Sequence, residues 1–171
     1  MKPFVCRPLA CLAGLLLGLA SCKGAPEIVG DAGAPGAAAP APRPAHVKVV
    51  DAPATGAVDE IVRGALAAAA SEKRTLVVYV GATWCEPCRY FHEAAARGDL
   101  DAELPGVTFV DFDLDRDRER LAAAGYVSKY IPLFALPRPD GQASGKQIEG
   151  GIKGDAAVGF IVPRLSAMLA E

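Results

Sequence analysis

Residues Gly81–His92 read GATWCEPCRYFH. A tryptophan precedes two cysteines separated by Glu86 and Pro87. Three kinds of chemistry use such a pair: thiol–disulfide exchange, metal ligation and structural cross-linking. The sequence upstream bears on the choice. Thr75–Val80, TLVVYV, is a continuous run rich in β-branched residues and reads as a buried central strand. Gly81 and Ala82 open a turn, and a helix is expected from near Cys85 to about Arg97. A cysteine attacks as thiolate, and an ordinary thiol, with pKa about 8.5, is mostly protonated at neutral pH. Unpaired N–H groups and the macrodipole at a helix N-terminus favour the anion. The strand–turn–helix therefore makes Cys85 the expected nucleophile. Cys88 follows nearly one helical turn later, so the sulfurs can approach bonding distance. Pro87 suits the first turn, where a missing N–H is harmless. Trp84 supplies a flat apolar platform beside the nucleophile. Cys85 is expected to attack a substrate disulfide, and Cys88 to resolve the mixed disulfide. No dissociable cofactor is required.

The other chemistries fit less well. A structural disulfide here closes too short a loop to stabilise much. A structural zinc site needs four ligands. His92 lies four residues after Cys88, on the same helix face. Cys85, Cys88 and His92 would make a three-ligand copper or zinc set, since soft thiolates suit Cu(I). A metal-delivery module is thus the alternative reading. Otherwise His92 is an exposed helix residue.

The N-terminal segment is not part of the fold. Lys2 and Arg7 precede Leu9–Ala20, LACLAGLLLGLA, an apolar run of about a dozen residues. That is too short to span a bilayer and suits a signal-peptide core. It ends in LASC, Leu19–Cys22, which resembles the lipobox of bacterial lipoproteins. The resemblance implies cleavage of residues 1–21, lipidation of Cys22 and membrane attachment through its acyl chains, each buried methylene contributing about 0.8 kcal/mol. Cys6 and Cys11 then leave with the signal, and Cys85 and Cys88 are the only thiols of the mature protein. They are expected to lie in an envelope compartment where disulfides persist. Residues 22–46, rich in Ala, Pro and Gly and without apolar periodicity, read as a disordered tether. At about 25 residues it would average roughly 25–30 Å end to end.

Residues 47–171 alternate between strands and helices. His46–Val50 reads as a short edge strand, and Val58–Lys73 as a helix from the spacing of Val58, Ile61, Val62, Ala65, Leu66 and Ala69. Val107–Leu114 is a strand; Phe109 and Phe112, three apart, point to opposite faces and suit a sheet covered on both. Asp117–Ala124 is a short helix ended by Gly125. Pro132–Pro137 is a strand, with Gly145–Gly150 as its hairpin partner. Asp155 is expected to cap a last helix with Val158, Val162, Leu165 and Leu169 on one stripe, and Pro163 to kink it. The order β-α-β-α-β-α-β-β-α gives an α/β fold with one sheet covered by helices. Asp111, Asp113, Asp115 and Asp117 alternate, but a calcium loop needs Gly sixth and Glu twelfth where Arg116 and Ala122 stand. They read as a strand end and an acidic helix start. The formal net charge of −2 offers no basic footprint for nucleic acid.

WCEPC, Trp84–Cys88, resembles the Trp-Cys-x-x-Cys motif of the thioredoxin superfamily, and Tyr130–Pro132, YIP, matches its second element. The resemblance covers roughly Val47–Leu169. It implies a thioredoxin-like three-layer sandwich with a central mixed sheet flanked by helices. It also implies a cis Ile131–Pro132 bond facing a Cys85–Cys88 redox disulfide, with Trp84, Ile131 and Pro132 shaping the substrate groove. A disulfide-bearing polypeptide substrate and a membrane-embedded thiol electron donor are the expected partners. The Glu86-Pro87 dipeptide is similar to that of tethered reductants of cytochrome c maturation. The compact spacing is more like ordinary thioredoxins or the periplasmic domain of a transmembrane electron transporter. Ile131 resembles the reducing branch. One departure stands out: the family's buried proton-relaying Asp falls at Tyr79, which titrates far too high to replace it. Glu86 is the candidate relay in its place. Its charge opposes the Cys85 thiolate, so a milder pKa depression is expected there.

Overall fold

The computed structural model describes residues 46–171. The signal segment, Cys22 and the tether up to residue 45 lie outside the described residues.

Among the described residues, five strands and four helices follow in the expected order: β1 (Lys48–Asp51), α1 (Val58–Ser71), β2 (Thr75–Gly81), α2 (Glu86–Arg97), β3 (Val107–Asp113), α3 (Leu114–Ala123), β4 (Leu133–Pro137), β5 (Ala143–Glu149) and α4 (Ala157–Ala170). The strands form one sheet in the order β1-β3-β2-β4-β5. The first three are parallel; β4 runs antiparallel to β2, and β5 antiparallel to β4. The sheet is therefore mixed. The β-branched run of β2 occupies the middle, buried on both faces, as a continuous apolar strand must be.

Each face has its own apolar cluster. On one, Val77 and Tyr79 of β2, Phe109 of β3 and Phe134 of β4 meet Phe91 of α2 and Ile161 and Leu165 of α4. On the other, Val78, Val80, Val110 and Phe112 meet Val58 and Val62 of α1 and Leu121 of α3. Phe109 and Phe112 do part to opposite faces. The result is a three-layer α/β sandwich of thioredoxin-like topology, with α2 and α4 on one side and α1 and α3 on the other.

Local expectations fail in three places. α3 begins at Leu114, three residues early, because the Asp113 carboxylate caps it by accepting from the N–H groups of Asp115 and Arg116 at 2.9 and 3.0 Å. Asp155 does not cap α4: the N-cap is Ala156, without a side-chain bond. The buried face of α4 is only partly the expected stripe. Val162 and Leu165 are buried as expected, but Ala157, Ile161 and Met168 complete the inward face, while Val158 and Leu169 sit at its margin. α4 runs on through Pro163.

Candidate active site

β2 hands the chain to α2 through a tight turn in which the Cys85 N–H donates to the Ala82 carbonyl at 3.1 Å. Cys85 is the N-cap of α2, in extended backbone conformation, and its Sγ accepts from the Cys88 N–H at 3.3 Å. Sulfur thus takes the place that Ser or Asp oxygen usually fills at a helix start. Cys85 and Cys88 form a disulfide, their Cα atoms 5.2 Å apart. Pro87 lies in the first turn, as expected. Both cysteines are nearly covered, Cys85 at 4% exposure and Cys88 at 2%. The exposed large apolar side chains next to the site in sequence are Trp84, at 65%, and Tyr130, at 56%. The Trp84 indole N–H donates to the Asp115 carboxylate at 2.8 Å, tying the platform to the first turn of α3.

The Ile131–Pro132 bond is cis. Ile131 packs on the cluster that contains both cysteines, and the Pro132 carbonyl accepts from the Gly150 N–H at 2.9 Å. The loop before α4 is thereby drawn against the start of α2. A Cβ at Gly151 would lie 2.8 Å from Pro87 Cβ, so only glycine permits this approach. The Glu86 carboxylate accepts from the Gly154 N–H at 3.1 Å, a second tie between the same loop and the motif.

Cys88 also lines a cavity of about 550 Å³. Tyr79, His92, Asp111, Asp51 and Arg116 are among its lining residues. Tyr79 is buried, and its hydroxyl has no hydrogen-bond partner among the described residues. Burial pushes its pKa far up, with Asp111 adding to the effect. Asp111 is itself shifted upward, to about 7, by burial first and by the charges of Asp51 and Asp113 after it. Arg116 opposes that shift, and Asp117 adds to it. His92 Nε2 lies 3.3 Å from Asp111 Oδ2, and its ring meets Tyr79 edge-on, the centroids 5.0 Å apart. Burial pulls the His92 pKa down.

His92 is therefore half-buried in the cavity rather than on an exposed helix face. It is not gathered with the cysteines: the sulfurs are bonded to each other and the imidazole turns to Asp111. Among the described residues no three His, Cys, Asp or Glu side chains are grouped to hold a metal ion. The three-ligand copper or zinc set of Cys85, Cys88 and His92 is not assembled. Asp111 went unnoticed in the sequence because the alternating aspartates read as a strand end. A signal existed: Asp111 is two residues from Phe109, so on a strand both share the covered face.

No family model matches the chain, and no curated protein matches it in sequence. Among solved structures, it is similar to oxidised thioredoxin O1 from Arabidopsis thaliana, at 20% identity over 73% of this chain and 96% of the other, with a TM-score of 0.44. A poplar thioredoxin h is 21% identical over 74% and 98%, with a TM-score of 0.45. A thioredoxin from Trypanosoma brucei brucei is 23% identical over 77% and 94%, with a TM-score of 0.41.

Proposed function

We propose that this chain is a membrane-anchored thiol–disulfide oxidoreductase of the bacterial cell envelope, acting as a reductase of protein disulfides. One observation carries the reading. Two cysteines are bonded to each other at the N-terminus of α2, and Cys85 Sγ sits where it accepts a backbone N–H of that helix. That environment favours the Cys85 thiolate once the bond is reduced.

The reduced Cys85 thiolate attacks one sulfur of a substrate disulfide. A Cys85–substrate bond forms and the other substrate sulfur leaves as thiolate. Cys88 gives up its proton and attacks Cys85 Sγ, re-forming the intramolecular bond and releasing the second substrate thiolate. Two electrons pass from protein to substrate, and the substrate sulfurs take up two protons. Trp84, Ile131 and Pro132 are the residues assigned to hold the polypeptide. A membrane-embedded dithiol is the class of donor that restores the reduced pair. Cys22, lipidated after removal of residues 1–21, anchors the domain on the periplasmic side through the tether of residues 22–46.

The test is reduction of a protein disulfide such as insulin by the reduced protein. Wild type is expected to be active and Cys85→Ser inactive; activity that survives Cys85→Ser overturns the reading. For the anchor, Cys22→Ser should release the protein from the membrane fraction, and retention there would refute lipid attachment at that residue.

A further inference from the structure

The proposed reaction needs a proton acceptor for the Cys88 thiol, because only the thiolate can attack Cys85. In the resemblance to thioredoxins this falls to a carboxylate at the position of Tyr79. Here that position carries a phenol, held far from ionisation by burial.

The sheet supplies a carboxylate one strand away. In the parallel β2–β3 register Tyr79 pairs with Asp111, so both side chains leave the same face of the sheet. That face is covered by α2, the helix that carries Cys88 and His92. Cys88, Tyr79, His92 and Asp111 all border the cavity of about 550 Å³. A water occupies about 30 Å³ of liquid volume, so the space is large enough for water to link sulfur and carboxylate.

We propose that Asp111 accepts the proton of the Cys88 thiol, through water in this cavity, when Cys88 attacks the mixed disulfide, and that it passes a proton from solvent back to Cys88 when the pair is reduced again. This rests on the reading of the chain as a disulfide reductase. The proton balance is closed: Cys88 S–H becomes thiolate, the Asp111 carboxylate becomes carboxylic acid, and that proton leaves to solvent or to the departing substrate thiolate. His92, 3.3 Å from Asp111, is a positioning residue that holds the carboxylate beside α2.

The surroundings match the task. Asp51 of β1 is the register partner of Asp111 on its other side, and Asp113 follows on the same strand. Both raise its affinity for a proton, as does Asp117 of α3. Arg116 of α3 is the cation set against them, but its guanidinium is engaged with Asp117 at 2.7 Å. Arg89 of α2 also borders the cavity, and it pairs with Glu93 at 2.8 Å. The burial that lifts Asp111 toward neutrality suits a group that must both take and give a proton near pH 7. Glu86, by contrast, is committed to the Gly154 N–H.

Asp111→Asn tests this through the pH dependence of single-turnover reduction of a disulfide peptide, from pH 5 to pH 9. Wild type is expected to show an inflection near 7. Asp111→Asn should lose that inflection and turn over at least tenfold more slowly at neutral pH, the low end of general-base effects. The companion measurement is alkylation of Cys88 in the Cys85→Ser background. There, removing the Asp111 charge should lower the apparent Cys88 pKa. A carboxylate that acted only as a repelling neighbour would therefore make Asp111→Asn faster, not slower. Equal or faster turnover with the inflection retained overturns the proposal. Glu86→Gln should leave the inflection in place; its loss there would assign the proton to Glu86 instead. Inactive wild type sinks the reductase reading itself, whereas active wild type with an unaltered Asp111→Asn profile sinks this proposal alone.

Discussion

Tyr79 and Asp111 stand side by side across the β2–β3 ladder, a phenol without a hydrogen-bond partner among the described residues next to a carboxyl group lifted to about 7. The fold bears a cost for that carboxylate. Its folded pKa lies above the ordinary value of 3.8, so the stabilising contribution is complete below about pH 4 and is lost as pH rises toward 7. At about 1.4 kcal/mol per pKa unit the loss has an upper limit of about 4 kcal/mol, reduced by the partial exposure of Asp111. Asp111→Asn should remove it. Urea midpoints at pH 5 and pH 8 are expected to fall with pH in wild type and to converge in the variant; a parallel fall in both would contradict the assignment.

Cys88→Ser should trap the reaction halfway. Cys85 can still attack a substrate disulfide, but nothing on the protein resolves the product. A covalent adduct between protein and substrate, released by dithiothreitol, is expected on non-reducing gels. Cys85→Ser should give none, and adducts at equal yield from both variants would mean the roles of the two sulfurs are misassigned.

Asp117 is the most heavily engaged acid of the described residues. Its side chain is fully buried; it accepts from Arg116 at 2.7 Å, Arg120 at 2.8 Å and the Asp113 N–H at 3.1 Å. Burial works against ionisation, but the two guanidinium groups together outweigh it and leave the pKa lowered. Arg120 in turn binds the carbonyls of Pro53 and Gly56, so one carboxylate organises α3 and the β1–α1 loop. Asp117→Ala removes the shared acceptor of two partly exposed guanidinium groups and of the Asp113 N–H, and should cost about 1–3 kcal/mol. The Asp117 contribution is present above about pH 4 and fades as pH falls through the lowered pKa, the opposite sense to Asp111. Chemical denaturation of the variant measures it.

Gly151→Ala should disturb the site from behind. Its Cβ would meet Pro87 Cβ at 2.8 Å, and neither the backbone nor a proline ring yields cheaply. Overpacking of this kind costs about 1–3 kcal/mol. Because Pro87 lies between the cysteines, the reduction potential of the pair should move as well. A variant with wild-type stability and potential would show that the loop gives way freely.

Much of this was written in local sequence. The β-branched run of β2 had to be a central strand, because a fully apolar strand needs cover on both faces. A Cys-Glu-Pro-Cys segment after such a strand had to start a helix, because proline fits the first turn and sulfur can serve the cap. Period-two geometry alone parted Phe109 from Phe112. Local pattern also misplaced what depends on neighbours. Whether Asp113 or Asp117 started α3 turned on which carboxylate reached free N–H groups, and Asp117 was drawn inward by two arginines instead. The buried arc of α4 was set by how that helix lies against α2 and the sheet. Spacing brought Cys85 and Cys88 together because they share one helical turn. The meeting of Cys88, His92, Tyr79 and Asp111 belongs to tertiary structure alone. It joins a helix to two parallel strands, and such a pairing is fixed by sheet register and by the angle at which the helix crosses, neither of which a linear pattern records.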